Sequence, residues 1–307
     1  MQPADQVPNV DDSNDFDQLR RRGRALVAAG QLDEALALYE EGERWARAHG
    51  RPEQVDLMRA NHCAIRIATD VDATAADQLR RTLLRATDAR VQAVAAHGLS
   101  VFAELRKDHQ RQLFYARIAL EHATALDDVS LCAASHNQLG NALVADSHFA
   151  EAHTHYAAAL ERLTRRGGLR EGQLHGNLGY CAIVEGHITH GFAHLFHSLR
   201  LLRRVAARDD VLALAHLDLC FAYLEIDRPL RALRHGGRAL ELAENAGADA
   251  AVKHALCLLG QAARATGDAP SAQRYFRQLQ GRFYAHHPFL SDILMRTNVL
   301  KMINLRA

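Results

Sequence analysis

The sequence has few prolines and few aromatic residues, and it has no long apolar run. Only six of its 307 residues are proline and 6% are aromatic, and segments typical of β-strands are almost absent. No apolar stretch approaches the length of a membrane span, and the first 17 residues are polar and acidic rather than typical of a signal peptide. These absences predict a cytoplasmic, helical protein that does not bind a membrane.

Charge and cysteine content argue against several further classes. The net charge of +1 comes from interspersed acidic and basic residues, without the basic surface typical of nucleic-acid binding. The five cysteines are odd in number and form no CxxC pair, which favours reduced, partly buried thiols over disulfides, zinc sites or catalysis. Because the sequence also contains no P-loop, dinucleotide-binding glycine motif or GxSxG motif, we expect neither an enzyme nor a bound cofactor.

What the sequence does contain is an internal repeat of about 40 residues. Each unit has a small residue within an apolar stretch, and twelve residues later Ala or Gly begins a second run of periodic apolar residues. The third unit is the exception, because Gln112 occupies that second position. Spacings of three and four residues are typical of one helix face, so each unit predicts two antiparallel helices. The small residues that mark the seven units are Gly23, Ala64, Ser100, Gly140, Gly179, Cys220 and Gly260.

The positions of proline and glycine agree with this register. Four prolines coincide with expected helix starts, where proline is tolerated. Three glycines occupy equivalent turns between the two helices of a unit, where a positive φ is often needed. The prolines are Pro52, Pro229, Pro270 and Pro288. The glycines are Gly30, Gly186 and Gly267.

The order of small, turn, small and aromatic positions resembles the tetratricopeptide repeat. Clear copies run from Gly23 to Tyr39 and from Leu139 to Leu160. The resemblance implies an all-α fold, a right-handed α-solenoid of about seven helix pairs with a C-terminal capping helix. Units of about 40 residues are similar to bacterial arrays in peptide-sensing regulators and in the ligand-sensing parts of signalling proteins.

The two ends of the chain differ from its middle. Residues 1–17 are predicted to be an acidic, disordered leader, and residues 18–282 form the repeat array. The segment 283–307 is too apolar for a free tail and predicts a capping or interaction helix. That helix could cover the last pair, form a homodimer contact or occupy the groove of the array.

The resemblance implies that a peptide or protein partner binds the concave groove formed by the first helix of each unit. Asn141 and Asn177 match the two asparagines of carboxylate-clamp tetratricopeptide domains, but the basic partners of that clamp are missing, which argues against a clamp of this type. Asparagine amides could instead pair with an extended peptide backbone, or they could hydrogen-bond neighbouring helices. The candidate partner-binding residues are Asn61, His97, Asn137, Asn141, Asn177, Tyr180, Leu217, Phe221 and Gln261.

Histidine is frequent, with 19 residues, and the repeat sorts several of them into sets. His190 and His194 have the HxxxH spacing by which one helix can present two imidazoles to a metal ion. Because repeat duplication also copies histidines without any ligand, structural or surface histidines are favoured over a metal site, and a pH-sensitive surface is an intermediate alternative. One set lies on first helices: His136, His175 and His216. A second lies on second helices: His155, His194 and His235. The fifth unit has the metal candidates His187, His190, His194 and His197 on one face.

These observations predict a cytoplasmic adaptor or sensor that captures a peptide or an extended protein segment in its groove. Two alternatives remain open at this point. The array could dock an enzyme or a signalling partner through its outer face, or it could be a histidine-rich metal-binding protein.

Overall fold

The computed structural model describes residues 13–163, 168–299 and 304, and this part of the chain contains helices and connecting segments but no strand. Helix α1 begins at Ser13, inside the segment predicted as a leader, while residues 1–12 lie outside the described part. The helices are α1 (Ser13–Ala28), α2 (Leu32–Ala48), α3 (Pro52–Asp70), α4 (Ala73–Arg85), α5 (Ala89–Leu105), α6 (His109–Ala125), α7 (Val129–Ala145), α8 (Phe149–Glu161), α9 (Leu169–Val184), α10 (Ile188–Arg204), α11 (Asp209–Glu225), α12 (Pro229–Asn245), α13 (Asp249–Ala265), α14 (Ala269–Phe283) and α15 (Leu290–Arg296).

The helices α1 to α14 form seven consecutive pairs, from α1/α2 to α13/α14, as the repeat predicted. The all-α array of tetratricopeptide-like helix pairs is therefore confirmed. Pro52 and Pro229 are the first residues of α3 and α12, and Pro270 is the second residue of α14. Pro288 lies in the turn just before α15.

The chain divides into two compact units, residues 1–138 and 139–307. In the first unit, α3, α4 and α5 share a core that includes Ile67, Leu79 and Leu99. In the second unit, the first helices α9, α11 and α13 contact one another in order, and each also packs against the second helix of its pair. The first helices of this unit therefore form a continuous layer.

The small residues of the repeat are explained by close helix packing. A Cβ atom built on Gly140 would lie 2.5 Å from Cε1 of Tyr156, a side chain that is fully buried. Gly260 packs in the same way against the ring of Phe276. Glycine lets the two helices of a pair approach, and the large side chain 16 residues later fills the space between them.

A left-handed residue closes the first helix of most pairs. Gly186 is one example, where the backbone N–H of His187 donates to the carbonyl of Ala182 at 2.8 Å. The three glycines predicted for this turn have φ between 76° and 83°, and three further pairs use other residues with φ between 54° and 63°. In the remaining pair, α3 is followed directly by Val71, at φ 53°. The six residues at the equivalent position are Gly30, Lys107, Ser147, Gly186, Asp227 and Gly267.

The C-terminal helix is short. Helix α15 has seven residues and packs against α14, with further contacts to α13, so it lies on the last pair. Residues 300–303 and 305–307 of the predicted segment 283–307 lie outside the described part. None of the described helices has both the length and the apolar character needed to cross a bilayer.

Candidate functional site

The nine predicted partner-binding residues fall into both compact units. Asn61, His97 and Asn137 belong to the first unit, and the other six belong to the second. The side-chain amide of Asn61 donates to the carbonyl of Leu57, 2.8 Å away in the same helix. The Asn61 amide is therefore engaged by the backbone of its own helix, α3.

The second unit brings three aromatic rings together. Tyr180 on α9 lies 5.4 Å from Phe221 on α11 and 6.1 Å, edge-on, from Phe149 on α8, measured between ring centroids. We call these three residues the aromatic wall. Tyr180 is 3% exposed and Phe221 is 6% exposed, and Leu217 lies one turn before Phe221 on the same helix. Tyr180 and Phe221 come from adjacent first helices, where they occupy equivalent repeat positions.

Two predicted asparagines lie in the same unit as the aromatic wall. The hydroxyl of Tyr156 donates to Oδ1 of Asn141 at 2.9 Å, so this amide holds the aromatic residue of its own helix pair. Asn177 is half-buried on α9 and precedes Tyr180 by three residues, which places both on one side of the helix. The structure thus supplies both a packing role for Asn141 and a position for Asn177 beside the wall.

The C-terminal segment of the chain reaches two of the predicted groove residues. Asn304 accepts a hydrogen bond from the Tyr180 hydroxyl at 3.3 Å. Its amide nitrogen donates to the carbonyl of Val144 and, at 3.2 Å, to the hydroxyl of Ser147. Farther along, the side-chain amide of Gln261 donates to the carbonyl of Thr297 at 3.4 Å.

The histidines of the fifth unit differ in exposure. His187 and His190 are exposed, whereas His194 and His197 are half-buried beside α9. Nδ1 of His194 lies 2.7 Å from Nδ1 of His175, so members of the two predicted histidine sets meet across a helix pair. The HxxxH spacing within α10 did not reveal this contact, because it joins two helices.

The same contact recurs in the next pair. Nδ1 of His216 lies 3.0 Å from Nδ1 of His235, and Arg203 donates to Nε2 of His216 at 3.2 Å. Burial, with smaller contributions from the positive charges of His235, Arg203 and Arg238, lowers the pKa of His216 to about 4. His216 is therefore a neutral, structural imidazole at physiological pH.

Comparison with known proteins identifies the fold but no family. No protein-family model matches the chain, and no curated protein matches it. A Rap protein solved in complex with competence and sporulation factor superposes with a TM-score of 0.73 at 14% identity, covering 94% of this chain and 80% of that one. The fold is that of a tetratricopeptide-type repeat array.

Two further solved structures share this array. The apo form of RapI has a TM-score of 0.61 at 13% identity, covering 87% of this chain and 76% of that one. PilW, a type IV pilus biogenesis factor, has a TM-score of 0.58 at 19% identity, covering 78% of this chain and 99% of that one. At these identities the likeness concerns the helical array itself.

The tetratricopeptide-like array of the second unit combines apolar and polar recognition groups. The aromatic wall supplies largely buried rings, and the end of α7 supplies the Val144 carbonyl beside the Ser147 hydroxyl. Apolar and polar groups in such a combination are of the kind that recognise extended polypeptides in other proteins. The sequence had identified Tyr180, but it did not identify Phe149, Val144 or Ser147, since these lie outside the positions taken from the repeat register.

Proposed function

We propose that this chain is a cytoplasmic binding protein, an adaptor or sensor that captures an extended segment of a peptide or protein partner on the groove face of residues 139–307. Binding rather than catalysis is the activity that we infer. The aromatic wall supplies apolar contact area, and Asn177 and Gln261 supply amide groups along the first helices.

The contact of Asn304 is the observation that carries this proposal. An asparagine from a distant part of the chain has both ends of its amide engaged, by the Tyr180 hydroxyl on one side and by the end of α7 on the other. A partner segment with an amide or another polar side chain could make the same hydrogen bonds. The C-terminal segment therefore acts, in our proposal, as an internal occupant that a partner displaces.

The solved arrays support the same class of function. The Rap protein was solved in complex with competence and sporulation factor, so an array of this fold holds a partner in that protein. Arrays of stacked helical repeats generally bind their partners on an extended surface such as the layer of first helices. The partner of this chain is, we propose, likewise a peptide or a protein segment.

A synthetic peptide of residues 297–307, tested against a chain that ends at Arg296, provides a direct assay. We expect the shortened chain to bind the labelled peptide in fluorescence anisotropy, and the full chain to bind it at least about tenfold more weakly, because its own segment competes. Tyr180→Ala in the shortened chain should lower affinity at least about tenfold, since it removes a ring and a hydrogen bond.

Tyr275→Ala is the matched control, because Tyr275 lies on the second helix α14, outside the aromatic wall. This variant should bind the peptide as the unsubstituted chain does. Equal binding by the Tyr180 and Tyr275 variants would contradict the groove proposal. Co-purified partners that bind Tyr180→Ala unchanged would instead support docking through the outer face.

A further inference from the structure

A carboxylate and three imidazoles converge between α9 and α10. Glu171 and His175 lie one turn apart on α9, and His194 and His197 lie about one turn apart on α10. Ligand atoms of Glu171, His175 and His197, one from each residue, all lie within 4.8 Å of one another. Glu171 is only 9% exposed, and both histidines are half-buried, so the three groups meet at the edge of the helix pair.

His194 orients one of these imidazoles. The 2.7 Å contact between Nδ1 of His194 and Nδ1 of His175 requires one ring to donate and the other to accept. Because this contact uses Nδ1 of His175, a metal ion would bind the ring through Nε2. The His197 ring lies edge-on to His175, with ring centroids 4.3 Å apart. A hydrogen bond to the far nitrogen of a metal-binding histidine is the usual way in which proteins fix its orientation.

The next helix pair provides an internal comparison. His216 and His235 occupy the positions of His175 and His194 one repeat later, and their Nδ1 atoms also meet, at 3.0 Å. In that pair, however, Arg203 donates to Nε2 of His216. The positions equivalent to Glu171 and His197 are occupied by Leu212 and Arg238. The histidine pair is thus a repeated packing element, whereas the added carboxylate and third imidazole distinguish α9 and α10.

We propose that Glu171, His175 and His197 bind a divalent transition-metal ion such as Zn²⁺, with His194 orienting His175. Two imidazole nitrogens and one carboxylate oxygen are a ligand set that Zn²⁺ accepts, with a further position left for water or a partner group. The ion links the two helices of the fifth pair, and α9 also carries Tyr180 and Asn177.

The separation of the ligand atoms fits this proposal after small side-chain rotations. Bonds to Zn²⁺ of about 2.0–2.1 Å place two ligand atoms roughly 3.0–3.5 Å apart around the ion. From separations of up to 4.8 Å, the ligand atoms would have to approach one another by up to about 1.3–1.8 Å. The two half-buried imidazoles, at the edge of the helix pair, can make such rotations without moving the backbone.

Zinc titration of the full chain, produced without a histidine tag, tests the site. We expect isothermal titration calorimetry with a competing chelator to give one Zn²⁺ per chain, and Zn²⁺ to raise the melting temperature. Glu171→Gln and His197→Gln keep side-chain size but remove a ligand, so each should lower Zn²⁺ affinity at least about tenfold. Both variants should keep the circular dichroism spectrum of the unsubstituted chain.

Two controls separate this site from other histidines. His235→Gln alters the matched histidine pair without touching the proposed ligands, and the double variant His187→Gln, His190→Gln removes two exposed imidazoles of α10. Both should retain one Zn²⁺ with unchanged affinity. The proposal is overturned if Zn²⁺ binding is absent or not stoichiometric, if Glu171→Gln and His197→Gln bind as tightly as the unsubstituted chain, or if the exposed pair proves to hold the ion.

Discussion

A single buried histidine, His216, shows how packing sets the properties of one residue in this array. Its side chain is in contact with His235 and accepts from Arg203, and the residue is 5% exposed. Burial is the main cause that lowers its pKa to about 4, and the neighbouring positive charges of His235, Arg203 and Arg238 act in the same direction. The folded chain therefore holds this ring neutral in a range where the unfolded chain protonates it.

This difference predicts acid sensitivity. The unfolded ring has a pKa of about 6.5, so between pH 6.5 and pH 4 the unfolded chain binds more protons, and stability falls as the pH falls through that window. From pH 7.5 to pH 5, His216 alone should lower the free energy of unfolding by about 1–2 kcal/mol. Urea unfolding of His216→Gln should show a pH dependence that is smaller by this amount.

His286→Gln is the control for this experiment, because His286 is exposed in the turn before α15. Its unfolding should depend on pH as that of the unsubstituted chain does. If His216→Gln retained the full loss of stability between pH 7.5 and pH 5, then the acid sensitivity would have to come from other groups.

The repeat register assigned the candidate residues to helix positions, but it could not predict which of them touch. Tyr180 was identified as a groove residue because its position recurs in every unit. The contact between His175 and His197 depends on how α9 packs against α10, and a spacing rule within one helix does not contain that information. The hydrogen bond between Tyr180 and Asn304 joins residues 124 positions apart, so no local pattern could reveal it.

At the scale of helices and turns, several connections between successive pairs share one backbone conformation. Four of these connections have a residue with positive φ two positions after the preceding helix, with φ between 48° and 66°. A Cβ atom is unfavourable in this left-handed region by roughly 1 kcal/mol or more, so the residue type there affects stability directly. The four residues are Gly50, Asp127, Ala206 and Gly247.

Opposite effects are therefore expected from exchanging glycine and alanine at two equivalent turns. Ala206→Gly relieves a strained φ of 48° and should stabilise the chain by about 0.5–1 kcal/mol. Gly247→Ala, at φ 63° and with no neighbouring atom within 4 Å of the added Cβ, should destabilise it by about 1 kcal/mol through backbone strain alone. Urea denaturation measures both changes.

Gly237→Ala separates strain from the general effect of adding a methyl group. Gly237 lies within α12, and its added Cβ would also meet no atom within 4 Å. Alanine should therefore stabilise this helix by about 0.5–1 kcal/mol. A gain in stability for Gly247→Ala as well would show that the turn tolerates alanine, against our expectation.

Element boundaries were the most predictable part of the structure. Proline and glycine positions located helix starts and three turns, because these residues restrict or widen the backbone angles directly. Lys107, Ser147 and Asp227 adopt the same left-handed turn without glycine. Of the three, only Asp227 is of a residue type that adopts this region readily, so the residue types at Lys107 and Ser147 carried no signal for the turn.

At the scale of the whole molecule, both compact units enclose thiols. Burial raises the pKa of Cys63 and that of Cys257 to about 11. Burial, with a small effect from Cys257, raises the pKa of Cys220 to about 12. The remaining cysteines, Cys132 and Cys181, are buried as well. Thiols with such values are almost entirely protonated at pH 8 and react slowly.

Thiol labelling should thus report opening of the array. At pH 8 without denaturant, we expect a disulfide reagent such as DTNB to modify these cysteines at least about a hundredfold more slowly than free cysteine. In 6–8 M urea all five should react at the rate of exposed thiols, and mass spectrometry can assign the order. Rapid labelling of any cysteine in the native protein would contradict the buried arrangement.

The contact of Asn304 with the end of α7 has a consequence for the order of folding. It spans 160 residues, whereas each helix pair is built from residues close in sequence. Closing so long a loop costs more chain entropy than forming a neighbouring pair, and contacts at large sequence separation slow folding. The helix pairs of residues 139–307 should accordingly form first. During refolding, the aromatic wall is therefore formed before the C-terminal segment makes its contacts with it.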